Sequence, residues 1–301
     1  NNLFTLFYKY NKSMSTECIR IVEIERMNKS GNFLIYDKNA DKNVVIISSC
    51  RLSSFAYYFN CLEGFNYNIY MIYIIPYMQN STFPDIEKLN KIFEKTDMII
   101  CENIKNFPGF NTSEECKHNS IFDTFNINKE IRIFRIPPLE LRCFAYSNFH
   151  LFKCNMVDFK TFGESSKEFL ENRLSRDSYH KTKKFIQTYF QTIQLFYTHN
   201  HPSNTLMIVL FIEFILNSIG IKITKEFVNR CYNKNFLDGN EVPIFNIDII
   251  NNNFKFVKKV EHDNIFLTPG FLWFDASNNI SNSVNNLELN KIIIDFFELK
   301  Q

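Results

Sequence analysis

The feature that most constrains the fold is an alternation between residues 44 and 136, in which short apolar runs are separated by stretches of helical spacing. Val44-Val45-Ile46-Ile47 is continuous and apolar, the signature of a central strand buried on both faces. Leu52 to Leu62 has helical spacing, with Ser53 or Ser54 in place to cap it. Asn68 to Ile75 is the next predicted strand, ended by Pro76. Ile86 to Lys95 is a predicted helix, and Asp97 to Cys101 a predicted strand. A further strand runs from Glu130 to Ile136 and stops at Pro137-Pro138. Parallel strands need crossover connections, and helices between strands supply them. The expected fold class is therefore α/β: a mainly parallel sheet with flanking helices, three-layered in the SGNH or flavodoxin-like manner, followed by a helical C-terminal half.

Residues 1–40 read as an N-terminal hairpin or extension. Cys18 to Ile24 alternates like a half-buried strand, and Asn32 to Tyr36 is its expected partner across Lys29-Ser30-Gly31. Residues 41–301 are expected to form a single α/β domain that becomes helix-rich from about 150. Helical spacing covers Ser165–Leu174, Ser178–Thr192 and Thr224–Tyr232, and Leu287–Leu299 reads as a closing helix. Asn204–Ile219 is strongly apolar and meets Gly220, a helix stop. Residues 233–285 are Asn-rich and irregular, with strands expected at Phe254–Val257 and Ile265–Leu267.

Charge and cysteine usage exclude several classes. The 34 Lys and Arg balance 32 Asp and Glu to a net +2, spread along the chain, so no nucleic-acid footprint is expected. The longest apolar run, Leu206 to Leu216, is broken by Glu213 and is shorter than the ~20 residues of a bilayer span. It reads as a buried helix, and no membrane span is expected. The 8 Cys include no C-x-x-C pair, and 301 residues can bury a core without disulfides. Reduced thiols in a cytoplasmic setting are the expectation. The first residues lack a basic-apolar-small signal pattern. The 34 Phe against 7 Gly fit AT-rich coding and are not read as function.

Two polar clusters adjoin the apolar runs. Ser48-Ser49-Cys50-Arg51 follows the central strand and leads into a helix. Free amides and the helix dipole at such a junction lower a thiol pKa and hold a phosphate or an oxyanion. Cys50 is thus a candidate nucleophile, or its surroundings an anion site, against the alternative of a small buried thiol. The planar fork of Arg51 suits a phosphate or carboxylate. His199-Asn200-His201-Pro202-Ser203 precedes the apolar helix, with Pro202 suited to its first turn. His201 is a candidate general base. His199-x-His201 lacks a third ligand motif, so no metal is expected. Glu102, at a strand end, is placed to orient an imidazole or bind a hydroxyl. Asp177-Ser178-Tyr179-His180 has the acid–base spacing of some esterases but also begins a helix. Dinucleotide, P-loop, G-x-S-x-G and zincin motifs are absent from the sequence.

The order of these features resembles the WcbI-like family of capsular polysaccharide biosynthesis proteins. In that family a strand enters a G-N-C-Q turn, a second strand ends in Gln, and an aromatic stretch runs into N-H-P. Here Val44 to Arg51, Thr96 to Glu102 and Leu195 to Ser203 stand at those places. Cys50 and Asn200-His201-Pro202 match. Ser48-Ser49 replaces Gly-Asn, Arg51 replaces Gln, and Glu102 replaces the second Gln. The resemblance implies binding of coenzyme A or acetyl-coenzyme A, with Ser48, Arg51, Glu102, His199 and Asn200 at the cofactor. It also implies acyl transfer to a surface glycan, with His201, Cys50 and Ser49 as the catalytic set. Two rivals remain: an SGNH-type carbohydrate esterase, with Ser48 or Ser49 as nucleophile and Asp177/His180 or His201 as base, and a non-catalytic glycan-binding or structural protein.

Overall fold

The computed structural model describes residues 34–49, 51–74, 86–105, 111–114, 120–125, 127, 130–143, 159–198, 200–233, 246–256, 265–268, 271–274 and 286–299. The chain divides into two compact units. One holds the residues up to Ser49 with Asn66–Arg135, the other Cys50–Phe65 with Ile136–Gln301.

The first unit carries a five-stranded sheet. Its strands are β1 (Leu34–Tyr36), β2 (Asn43–Ser48), β3 (Asn68–Tyr73), β4 (Met98–Glu102) and β5 (Arg132–Ile136), in the order β1-β3-β2-β4-β5. β2 pairs in parallel with both β3 and β4, with Ile47 opposite Ile72 on one side and Cys101 on the other. β1 pairs antiparallel with β3, Leu34 opposite Tyr70. The expected partner of β1 in Cys18–Ile24 lies outside the described residues. The sheet is mostly parallel and flanked by helices, so the α/β expectation holds. Taken without β1, the strand order is that of a doubly wound, flavodoxin-like sheet.

Val44 to Ile47 are fully buried, as a two-faced central strand requires. On one face Val45, Ile47, Ile72, Ile99 and Cys101 pack with Leu89 and Phe93 of the helix α2 (Ile86–Phe93). Its apolar positions recur at helical spacing, and Lys91 bonds Glu87 one turn back on the wet side at 2.8 Å. Asn68 ties the start of the sheet together, accepting from the Lys38 and Ala40 amides at 3.0 and 3.1 Å.

The second unit is mainly helical. It contains α1 (Ser53–Cys61), α3 (Phe159–Arg176), α4 (His180–Tyr189), α5 (Asn204–Phe214), α6 (Lys225–Cys231), α7 (Asn246–Asn252) and α8 (Asn286–Phe296). Every residue of α5 is buried, and all but Asn204, Thr205 and Glu213 are apolar, so this helix is the centre of the unit. Phe211 makes edge contacts to Phe55 at 5.0 Å and Phe59 at 4.8 Å on α1, and stacks on Phe227 of α6 at 5.6 Å. A π turn, Ile215–Ile219, extends α5, and Gly220 at φ +76° ends it with its amide on the Ile215 carbonyl.

Four local expectations need revision. The start of α1 carries no side-chain cap from Ser53 or Ser54; Leu52 is its N-cap. Pro202 is in a strand, not the first turn of α5, because Ser203 caps that helix through the Leu206 amide. Phe254 and Phe256 are not in a strand; they are buried rings that pack on each other at 4.9 Å, and Phe254 also meets Phe190. The region expected to be irregular contains α7, while the strand expected at Ile265–Leu267 is present as β8 (Ile265–Thr268), which pairs with β9 (Phe271–Phe274).

Candidate functional site

The chain leaves β2 to one side, toward β3, and returns on the other side as β4. The loops after these two adjacent parallel strands therefore part company at their carboxyl ends, where open α/β sheets bind ligands. β2 ends at Ser48 and β4 at Glu102, so the fold brings Ser48, Ser49 and Glu102 together. The Ser49 hydroxyl donates to Oε2 of Glu102. The Ser48 hydroxyl donates to the Ser49 carbonyl, and the Ser48 carbonyl accepts from the Ile74 amide at 2.9 Å. Ser49 is 5% exposed and Glu102 only 1%.

A buried carboxylate needs donors, and Ser49 is one of them. Glu102 is held from behind as well. Its main-chain carbonyl accepts from the Thr112 hydroxyl, which in turn accepts from the Ile104 amide at 2.8 Å. Arg135 closes this shell, with Nε donating to the Thr112 carbonyl at 2.6 Å and Nη1 paired with Glu114 at 2.6 Å. Cys101, on the opposite face of β4, is pushed up to about 12 by burial, which outweighs the nearby Arg135 guanidinium. It is an inert core thiol.

The remaining candidates lie in the second unit. Arg51 Nη1 is paired with Oε1 of Glu140 at 2.6 Å, with the arginine side chain 14% exposed and the glutamate 45%. The helix that follows, α1, has no side-chain cap and no acid in its first turn. Cys50 and His199 lie outside the described residues. Asn200 and His201 are half-buried. His201 and Pro202 form β7, which pairs antiparallel with β6 (Phe196–Thr198), His201 opposite Thr198. The Ser203 amide then bonds the Leu195 carbonyl at 2.8 Å, closing the hairpin onto the start of α5. His180 is exposed at the first residue of α4, and Asp177 accepts from Arg176 Nε at 3.4 Å.

Sequence reasoning missed a buried polar network at the start of α5. The Tyr58 hydroxyl donates to Oδ1 of Asn204, and Nδ2 of Asn204 donates to the Cys231 carbonyl at 3.4 Å. The Tyr232 hydroxyl donates to Thr205 at 2.8 Å. Burial first, and the Cys231 thiol second, raises Tyr58 well above its ordinary value, so it remains a neutral donor. The available signal was Asn204-Thr205 opening a helix that is otherwise apolar but for Glu213. Among the described residues, no three of His, Cys, Asp and Glu are grouped to hold a metal ion. No described helix is long and apolar enough to cross a membrane.

The fold and these contacts define an α/β protein with a tied polar turn at the switch point of its parallel sheet. No family model matches the chain, and no curated protein matches its sequence. Among solved structures the chain is similar to WcbI, described as a polysaccharide biosynthesis enzyme. The two share 13% identity over 85% of this chain and 90% of that one, with a TM-score of 0.47. That structure is of the native protein without a disulfide bond between coenzyme A and a cysteine.

Proposed function

We propose that this chain transfers an acyl group, acetyl in the first instance, from coenzyme A to a sugar hydroxyl in the assembly of a surface polysaccharide. The observation that carries the reading is the tied turn at the carboxyl end of β2, with Ser49 bonded to Glu102 across the switch point. Coenzyme A would supply the acyl group as an activated thioester.

The residues present fit such a cofactor in part. Arg51, already withdrawn from most solvent, can exchange Glu140 for a phosphate without a new burial cost. The uncapped start of α1 offers amides and the positive end of a helix dipole to the same charge. Ser48 and Ser49 spend their hydroxyls inside the protein, so backbone rather than hydroxyl groups face a ligand at the turn. His201 takes the proton of the attacking sugar hydroxyl, since an imidazole titrates near neutral pH. The β6–β7 hairpin and the Ser203 cap hold it at a fixed place before α5. Asn200 would contact the cofactor.

The test is release of free coenzyme A from acetyl-coenzyme A, dependent on added saccharide. His201→Ala is expected to keep its far-UV circular dichroism and melting temperature and to lose at least about a hundredfold in transfer rate. Undiminished transfer removes His201 as the base. Fast hydrolysis of p-nitrophenyl acetate without coenzyme A, abolished by Ser49→Ala, would instead make the chain an esterase.

A further inference from the structure

We propose that Cys61 and Cys231 are a redox pair, which a peroxide joins in a reversible disulfide that staples α1 to α6.

Both residues lie in the second unit, and each is the last residue of its helix. Their side chains are hydrogen-bonded to each other. Sulfurs in such contact come to bonding distance by rotation of the side chains, provided that the two backbones are already held. Three contacts hold them. The Tyr57 hydroxyl, one turn before Cys61, donates to the Arg230 carbonyl at 3.0 Å. Nη2 of Arg230, the neighbour of Cys231, pairs with Oε1 of Glu63 at 2.5 Å. Nδ2 of Asn204 donates to the carbonyl of Cys231 itself at 3.4 Å. Phe211 fastens the same two helices through α5, meeting Phe59 of α1 and Phe227 of α6. Cys101 is placed differently, since its thiol donates to the Phe134 carbonyl at 3.7 Å.

The two thiols differ in access. Cys61 is 8% exposed and Cys231 is fully buried, so Cys61 meets the oxidant first. Its sulfur attacks one peroxide oxygen, the O–O bond breaks, and the departing hydroxide takes the thiol proton as water. The product is a sulfenic acid on Cys61. The sulfur of Cys231 then attacks that of Cys61 and the S–O bond breaks. The hydroxide released takes the Cys231 proton as a second water. The two thiols give up two electrons and the peroxide accepts them. A dithiol reverses the step by exchange.

The experiment treats the reduced full chain with hydrogen peroxide and blocks remaining thiols with N-ethylmaleimide in denaturant. Peptides are then mapped by mass spectrometry without reduction. A peptide linking Cys61 to Cys231 is expected, and dithiothreitol should remove it. The linked chain should melt about 5 °C higher than the reduced one, because the bond closes a long loop of the unfolded chain. Cys231→Ser should abolish both the linked peptide and the melting shift and leave Cys61 as a sulfenic acid that dimedone traps. Recovery of both residues as blocked thiols overturns the proposal, as does Cys61 linked to a different cysteine. A linked chain that melts no higher overturns the staple, and so does a melting shift that survives Cys231→Ser. Should that variant fail to fold, the peptide map of the parent chain decides alone.

Discussion

Glu213 interrupts the most apolar stretch of the chain, and the structure shows why it is tolerated there. Its two carboxylate oxygens accept from the Lys181 amide at 2.8 Å, the Thr182 amide at 2.6 Å and the Thr182 hydroxyl at 2.7 Å. Those are the orphan donors at the start of α4, whose own N-cap, Tyr179, makes no side-chain bond. The cap is thus supplied from another helix. Glu213→Ala leaves three donors unsatisfied, two of them buried, and is expected to cost about 3 kcal/mol, read as a lower urea midpoint with an unchanged slope. A loss below about 1 kcal/mol would mean that water replaces the carboxylate. The sequence marked Glu213 only as a break in hydropathy, because its partners stand some thirty residues upstream and no local spacing relates them. The same limit applies to Glu102. Its place at a strand end was legible, but its bond to Ser49 arises only when β4 is laid beside β2.

The strands of the parallel sheet and most helices were legible because each is a local pattern. A two-faced strand must be continuously apolar, as Val44–Ile47 is, and a helix stop must take up positive φ, as Gly220 does. Gly220→Ala meets no neighbour within 4 Å, so its cost is that of left-handed backbone alone. About 1 kcal/mol is expected in chemical denaturation. A larger loss would show that the π turn depends on the glycine in another way. What local pattern did not show is pairing. β1 joins β3, and His201-Pro202 joins Phe196–Thr198, whereas local spacing puts His201 at a helix start. Two-residue pairings carry no period to detect. Phe211 joins three helices at once, and Phe211→Ala is expected to cost 3–5 kcal/mol, about the usual range for a buried ring. A loss under about 1 kcal/mol would show that the rings of α1 and α6 close the gap.

At the scale of the molecule, the described thiols Cys61, Cys101, Cys143 and Cys231 are buried and not in disulfides. Burial raises Cys101, Cys143 and Cys231, and also Tyr58, Tyr179 and Tyr232. These groups stay protonated in the folded chain when the unfolded chain has begun to ionise them. Their contribution to stability is whole below the ordinary thiol value of 9.0 and is lost as pH rises through the folded values, about 12 for Cys101. The urea midpoint should be level near neutrality and fall steadily above pH 9, with each such thiol contributing on the order of 1 kcal/mol per pH unit. A midpoint flat to pH 11 would contradict the burial of these groups. The central claim concerns the ligand of the turn, and calorimetric titration of the full chain with acetyl-coenzyme A tests it most directly. The account predicts saturable binding with one site per chain, weakened about tenfold or more by Arg51→Ala. The absence of binding, or binding of equal strength in the variant, would contradict it.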